Sequence, residues 1–449
     1  MPKRYTKMSL AGLAASFLLS GVPLGAQAQE APPPKEPKAD SRYASEQAAG
    51  NGFAVELHSE ATWDDNIFAN NARRQRDYVF QEGGLFSIWS RRPSWGVGLE
   101  YRPNALLYRT VKGFNQFDHH LDFDNEFHAS RHLLFRLKDS VDYMTGVLEP
   151  RANQDLSLPI GGSSNLNATL FTPFARQLAN EAGGGIEYEM SRRSFFSVSG
   201  SHGFRRFTNA GSGLTSVAPN LFNTQSDTGG TSYQYRVTRH LTAGVQYQFQ
   251  NLRFSQASHG RSHNAFLTVL WEAGPHVTLS IFAGPQYSDT TGQFLIASTN
   301  PLQPGNVLIT LRTMQWHPAG GGSLTLRSNQ TVFRLTARRQ VLDGGGLLTT
   351  VTNTYGGAEI RQRLAWKWDV AITTSAARSV SLQGPLGKGT VDTQAAGMAI
   401  EHPLFENLNL HAEYNYLRQR VNQTVPLGAD LDRNQFTVGL FYRAPEHKF

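Results

Sequence analysis

Three sets of residues in this sequence could do chemistry. The first is acidic: Asp122, Asp124 and Glu126 recur at every second position, as do Glu187 and Glu189, with Asp142 between them. The second is basic: Arg334, Arg338, Arg361 and Lys367. The third is the cluster Asp64-Asp65-Asn66. Residues two apart share one face of a β-strand, so the acids would line one surface and the bases another. Facing each other, such surfaces orient dipolar solutes and disfavour apolar ones. The plainer expectation is that these charges pair with neighbours and solvate a polar surface. Two carboxylates and an amide oxygen could bind Ca²⁺, or could close an Asx turn at a strand end. The fourteen His are scattered, and His411 with Glu413 and a nearby Ser is the one catalytic arrangement worth weighing. No H-E-x-x-H, G-x-S-x-G or Gly-rich phosphate loop is present, so the expectation is no enzyme, no metal and no cofactor.

Strands must position these groups, and the clearest strand pattern runs from Asn264 to Tyr287. Ala265, Leu267, Val269 and Trp271 fall on one face, and Asn264, Thr268 and Glu272 on the other. Ala273-Gly274-Pro275-His276 reverses the chain. Val277, Leu279, Ile281, Ala283 and Tyr287 then lie opposite Thr278, Ser280, Gly284 and Gln286. Each arm is ~10 residues long, the reach of a tilted strand across a bilayer.

The pattern repeats to the C-terminus and gives about sixteen to eighteen strands, eighteen on the fullest count. Strand thirteen is expected at Thr331 to Gln340, strand fourteen at Val351 to Ile360, and strand fifteen at Trp366 to Ala376. Short turns such as Arg91-Arg92-Pro93-Ser94 follow even-numbered strands. Longer segments, 146–177, 208–225 and 288–311, follow odd ones. This is the rhythm of an all-β, transmembrane, antiparallel up-and-down barrel with short periplasmic turns and long extracellular loops. Trp89, Trp95, Phe195, Trp271 and Trp366 are expected in the girdle at the turn ends, and Tyr101, Phe254, Tyr287 and Tyr416 in that at the loop ends. A barrel of about eighteen strands is too wide for side chains to fill, so a water channel or a loop plug is expected. The 146–177 segment, with Leu158-Pro159-Ile160 and Leu170-Phe171-Thr172-Pro173-Phe174, is the candidate to fold inward.

Composition bounds the alternatives. The chain has 449 residues, 39% of them hydrophobic and 17% charged, with no Cys. Disulfides and thiolate metal sites are excluded. Residues 1–28 read as a secretory signal peptide: Lys3, Arg4 and Lys7, an apolar core from Leu10 to Leu24, then Ala26-Gln27-Ala28. Its removal takes the formal charge from +7 to +4, too little to argue for nucleic acid. Residues 29–51, rich in Pro, Ala, Lys and Glu, read as a disordered periplasmic tail, and 52–449 as the barrel.

Two stretches carry family resemblances. Thr437, Gly439 and Tyr442 fit the terminal strand by which barrels are recognised by the insertion machinery, although Ala444 replaces its second aromatic and the chain runs on to Phe449. Thr62-Trp63-Asp64-Asp65-Asn66-Ile67-Phe68, followed by an Arg-rich segment and Asp77-Tyr78-Val79-Phe80, resembles the opening of type 2 outer-membrane β-barrel porins. That resemblance implies a barrel of the Gram-negative outer membrane and an association with exopolysaccharide production or export.

The expected function is therefore passive diffusion of small polar solutes or saccharides through a porin-like channel. The alternatives are a barrel component of exopolysaccharide export or assembly, and a structural outer-membrane protein without an open pore. In this reading strands four to six supply an acidic lumen wall of Asp122, Asp124, Glu126, Asp142, Glu187 and Glu189, beside Arg136 and Lys138. Strands thirteen to fifteen supply Arg334, Arg338, Arg361 and Lys367, with Glu359 and Asp369. Partners are outer-membrane lipid and the insertion machinery. Greasy outward faces look alike to lipid and to a second barrel, which leaves a homo-oligomer open.

Overall fold

The computed structural model describes residues 50–69, 71, 74–145, 170, 175–208, 221–255, 258–297, 306–382, 389–422, 430–445 and 447–448. The expected signal peptide, nearly all of the expected tail and most of the 146–177 segment lie outside them. The first strands are β1 (Gly50–Asp64), β2 (Asp77–Arg92), β3 (Trp95–Tyr108), β4 (Gln116–His128), β5 (Leu133–Thr145) and β6 (Arg176–Ser191). Next come β7 (Ser194–Thr208), β8 (Thr224–Arg236), β9 (Leu241–Phe254), β10 (His259–Ala273), β11 (Val277–Ala297) and β12 (Asn306–Arg327). The wall ends with β13 (Thr331–Gly344), β14 (Leu348–Arg363), β15 (Asp369–Ser381), β16 (Thr390–Phe405), β17 (Leu408–Val421) and β18 (Leu431–Arg443), plus the short β19 (His447–Lys448).

Each strand pairs antiparallel with its neighbour in sequence, and β18 returns to β1 through Glu56↔Arg443 to Asp64↔Gln435. The sheet is thus a closed eighteen-strand barrel, paired with its neighbours all the way round except where β12 and β13 separate beyond Gly320↔Arg339. The expected break near Ala444 is a local shift. Arg443 pairs with Glu56, whereas His447 pairs with Phe53, one residue out of step, so the chain rejoins β1 as β19. Phe449 lies outside the described residues.

Burial runs opposite to that of a soluble barrel. Outward side chains such as Ile88, Leu137, Val245 and Leu267 are 50–68% exposed. Inward Gln250, Ser262 and Gln286 are 1–2% exposed. Leaving a large aliphatic side chain in water forgoes about 1.5–3 kcal/mol relative to burial, repeated here on almost every strand. A wall greasy outside and polar inside is stable when its surroundings are apolar.

Outward aromatics form rows at two heights. Near the loop ends, ladder partners place Phe249, His263, Tyr287 and Trp316 side by side on β9–β12, and Tyr414, Phe436, Trp63 and Tyr78 on β17, β18, β1 and β2. Near the turn ends stand Trp95, Phe127 and Phe135, then Tyr188, Phe196 and Tyr233, then Trp271. Three expected girdle members point the other way. Trp89 is buried on the inner face against Gly52, Phe195 lies inside under the Arg236 guanidinium, and Phe254 is buried.

The wall divides between β12 and β13. Their pairing runs from Arg327↔Val332 to Gly320↔Arg339 and stops, while β12 continues along β11 to Asn306. Pro285 and Pro318 face each other across β11–β12 just above that point. Proline has no N–H to give a ladder, so Pro318 suits a strand whose other side has become free. The β10–β11 register also skips Ala265 and Phe266, where a Cβ on Gly284 would lie 1.8 Å from the Ala265 carbonyl oxygen. Freed from β12, the tip of the β13–β14 hairpin turns inward.

Candidate functional site in the barrel lumen

Alternation and register fix which charges reach the lumen. On β4, Phe117, Leu121 and Phe127 face out, so Asp118, His120, Asp122, Asp124 and Glu126 face in. Their ladder partners on β5 are Asp142, Ser140, Lys138 and Arg136, and β6 adds Glu181, Glu187 and Glu189. All six residues of the expected acidic wall therefore share the inner face. They do not stand alone. His120 bridges Asp142 at 2.6 Å and Asp122 at 2.5 Å, Arg136 bridges Glu126 and Glu187 at 3.2 Å each, and Arg91 reaches Asp124 at 4.0 Å.

Across the barrel, β13 and β14 bring in Arg334, Arg338, Arg361 and Arg363. Glu359 lies between Arg334 at 3.4 Å and Arg361 at 3.8 Å, and Arg363 pairs with Asp369 at 3.3 Å. Arg338 differs: its guanidinium lies 6.0 Å from the Tyr355 ring centre, and among the described residues its Nε has no hydrogen-bond partner. It is the base of this wall that makes no ion pair among the described residues. Lys367 is not in this wall. β15 begins at Asp369, and Lys367 occupies an exposed turn with φ of 63° beside Trp366. The expected strand started three residues early because Trp366 and Trp368 alternate like strand residues, whereas Ala365–Lys367 form a single 3-10 turn.

A third charged surface lies at the seam. His411 faces in between Glu401 at 3.5 Å and Glu413 at 3.3 Å. The ion pairs described for its ring go to carboxylates, not to a serine. Asp64 and Asp65 are likewise accounted for by local bonding. Asp64 accepts the Asn66 N–H at 2.8 Å, closing an Asx turn, and pairs with Arg433. Asp65 accepts from the Asn434 backbone N–H and pairs with Arg74.

The largest feature of the lumen is one the strand pattern did not reveal. Residues 341–353 are buried without a break, on both faces of the β13–β14 hairpin. Its tip fastens to strands on the far side of the split. The Val341 N–H donates to Gln286 Oε1 on β11 at 3.0 Å, and Thr350 packs on Gly260 of β10 so closely that a Cβ there would lie 2.3 Å from its Oγ1. Asp343, 0% exposed, pairs with Arg205 of β7 at 3.4 Å, and the Phe222 N–H donates to the Gly346 carbonyl at 2.9 Å. Leu342, Leu347, Leu348 and Val351 join Leu170, Phe207 and Leu221 in one apolar cluster. The hairpin thus forms a shelf from β13–β14 to β7, six strands round the wall. Of the 146–177 segment expected to enter the lumen, Leu170 lies in this cluster with Ala175, and most of the rest is outside the described residues.

No protein-family model matches the sequence, and no curated protein does. The chain is similar in structure to several solved outer-membrane proteins. OccAB4 of Acinetobacter baumannii is 10% identical with a TM-score of 0.44, covering 90% of this chain and 100% of that one. OccK2 (OpdF) of Pseudomonas aeruginosa, solved in complex with glucuronate, is 8% identical with a TM-score of 0.43, covering 89% and 100%. OpdK of the same organism is 10% identical with a TM-score of 0.43, covering 88% and 99%.

Proposed function

We propose that the chain is a porin-like channel of the bacterial outer membrane through which small polar solutes or saccharides diffuse, and that it is not an enzyme. One observation carries this reading: a closed wall of eighteen strands with apolar side chains outside and polar ones inside. Such a wall satisfies its backbone in lipid and keeps a wet interior. The short turns and the barrel's N-terminal strand end then face the periplasm, and the long connections face outward. The acid-rich β4–β6 wall and the base-rich β13–β14 wall stand half a turn apart, so their field crosses the lumen and orients dipolar solutes. Between them the inner faces of β9–β11 are neutral and polar, with Gln246, Gln248, Gln250, Ser262, Asn264 and Ser280 buried along them. Phe266 and Phe282, edge to face at 5.2 Å, give the same stretch an apolar spot.

The likeness of residues 62–80 to type 2 porins adds a second reading, in which the barrel serves exopolysaccharide export. A polymer would have to displace the β13–β14 shelf, so that reading requires the shelf to move. Osmotic swelling separates the two. Liposomes holding the refolded barrel should swell quickly in isotonic monosaccharide and several times more slowly in a tetrasaccharide, because passage falls steeply with solute size in a narrow pore. No swelling from barrels shown to be folded would overturn the diffusion channel.

A further inference from the structure

We infer that an arginine belt on the outer surface of β7–β17 binds the phosphate groups of the outer-leaflet glycolipid. The inference rests on the outer-membrane reading above. The outward files of these strands are aliphatic and aromatic through most of their length, then change character near the loop ends. One outward position above His263 and Tyr287 come Arg261 and Asp289, which are ladder partners. A second row runs Gln225, Arg253, His259, Thr291, Arg312 across β8–β12. A third runs Arg339, Thr354, Arg378, Asp392, Arg420 across β13–β17. Arg206 on β7 and Arg418 on β17 extend the belt.

Height argues for a headgroup rather than bulk water. Interfacial aromatics mark the boundary of the hydrocarbon. A residue two places further along a strand stands ~7 Å beyond it, at the level of a lipid's phosphates. Charge argues for an anion. Five acids beside the belt are engaged: Asp227 by Arg253 at 2.8 Å, Asp289 by Arg312 at 2.6 Å, Asp392 by Arg378 at 3.6 Å, Asp430 by Arg420 at 3.9 Å, and Asp432 by Arg420 at 2.8 Å and Arg418 at 3.7 Å. Arg206, Arg261 and Arg339 are exposed and make no ion pair among the described residues. Arg206 lies 5.3 Å over the Phe204 ring, Arg339 stands opposite Gly320 and Thr354, and Arg261 stands opposite Asp289, whose carboxylate is held by Arg312. Arginine on an outward barrel face is costly at mid-membrane and nearly neutral at the interface, and its fork suits phosphate. A belt merely solvated by water would bind no lipid selectively.

The test uses the full mature chain refolded in neutral detergent, with bis-phosphorylated lipid A and its dephosphorylated form as probes, read by native mass spectrometry. Wild type should bind the phosphorylated form about tenfold or more tightly than the other, and Arg206→Gln/Arg261→Gln/Arg339→Gln should lose about that factor. Single replacements, each with a smaller loss, serve if the triple variant does not fold. Equal binding of both lipids, unchanged binding by the variants, or displacement by equimolar inorganic phosphate would overturn the belt. Sugar uptake by the same variants should stay at the wild-type rate, so failure here is distinct from failure of the channel reading.

Discussion

Replacing Leu342–Val351 by an Asn-Gly turn will raise single-channel conductance, by roughly twofold or more if pore diameter controls passage. The cut leaves the wall intact. β12–β13 pairing already ends at Gly320↔Arg339, and β14 keeps its pairing with β15 from Thr352↔Val380 downward. Val341 and Thr352 are ladder partners, so a two-residue type I′ turn joins them with the correct twist. What is lost is the shelf: Leu342, Leu347, Leu348 and Val351 leave the apolar cluster, and Gly260 loses the cover of Thr350 and becomes free lumen wall. Planar-bilayer recording of the two proteins decides the matter. Equal conductance would mean that the limiting section of the pore lies elsewhere.

Arg205→Ala will loosen the same shelf without shortening it. Asp343 is fully buried and Arg205 is 4% exposed, so removing the cation leaves a carboxylate in a site that water does not reach. Breaking one partner of such a pair costs about 3–5 kcal/mol, and the lower end applies because the Gly345 N–H still donates to Asp343. About 3 kcal/mol shifts the docked-to-undocked ratio by roughly a hundredfold. The recording should show new transitions to a higher conductance level, absent from wild type. Arg205→Met combined with Asp343→Leu removes both charges and should restore the quiet trace, since a buried pair is replaceable by packed apolar groups. A quiet Arg205→Ala channel would show that the apolar cluster alone holds the hairpin.

The two variants probe a feature that strand alternation could not reveal, and the reason is physical. Alternation reports a strand with one greasy and one wet face. It located β10 and β11 from Asn264 to Tyr287 and the short turns, because those strands have one apolar and one polar face. At Gln340 and Val351 the pattern stops, which is where β13 and β14 leave the wall. From there the hairpin is covered on both faces, so Val341-Leu342 and Leu347-Leu348 around Asp343-Gly344-Gly345-Gly346 look like an ordinary loop. The signal was available in two other places: apolar pairs flanking a Gly-rich turn, and Pro318 in a strand that must have lost a neighbour. Lys367 failed for a related reason, since a turn between two Trp residues mimics a strand's period. Trp89, Phe195 and Phe254 show the same limit, because an aromatic near a strand end says nothing about which face it occupies.

Ionic conductance of the refolded wild type in a planar bilayer under a salt gradient, repeated with Arg334→Glu/Arg338→Glu, tests for an open, charged lumen. Stable unitary steps are expected, with a reversal potential that moves toward cation preference in the variant, since Arg338 makes no ion pair among the described residues that would offset its charge. Folded barrels without steps, or a reversal potential unmoved by reversing both charges, would contradict it.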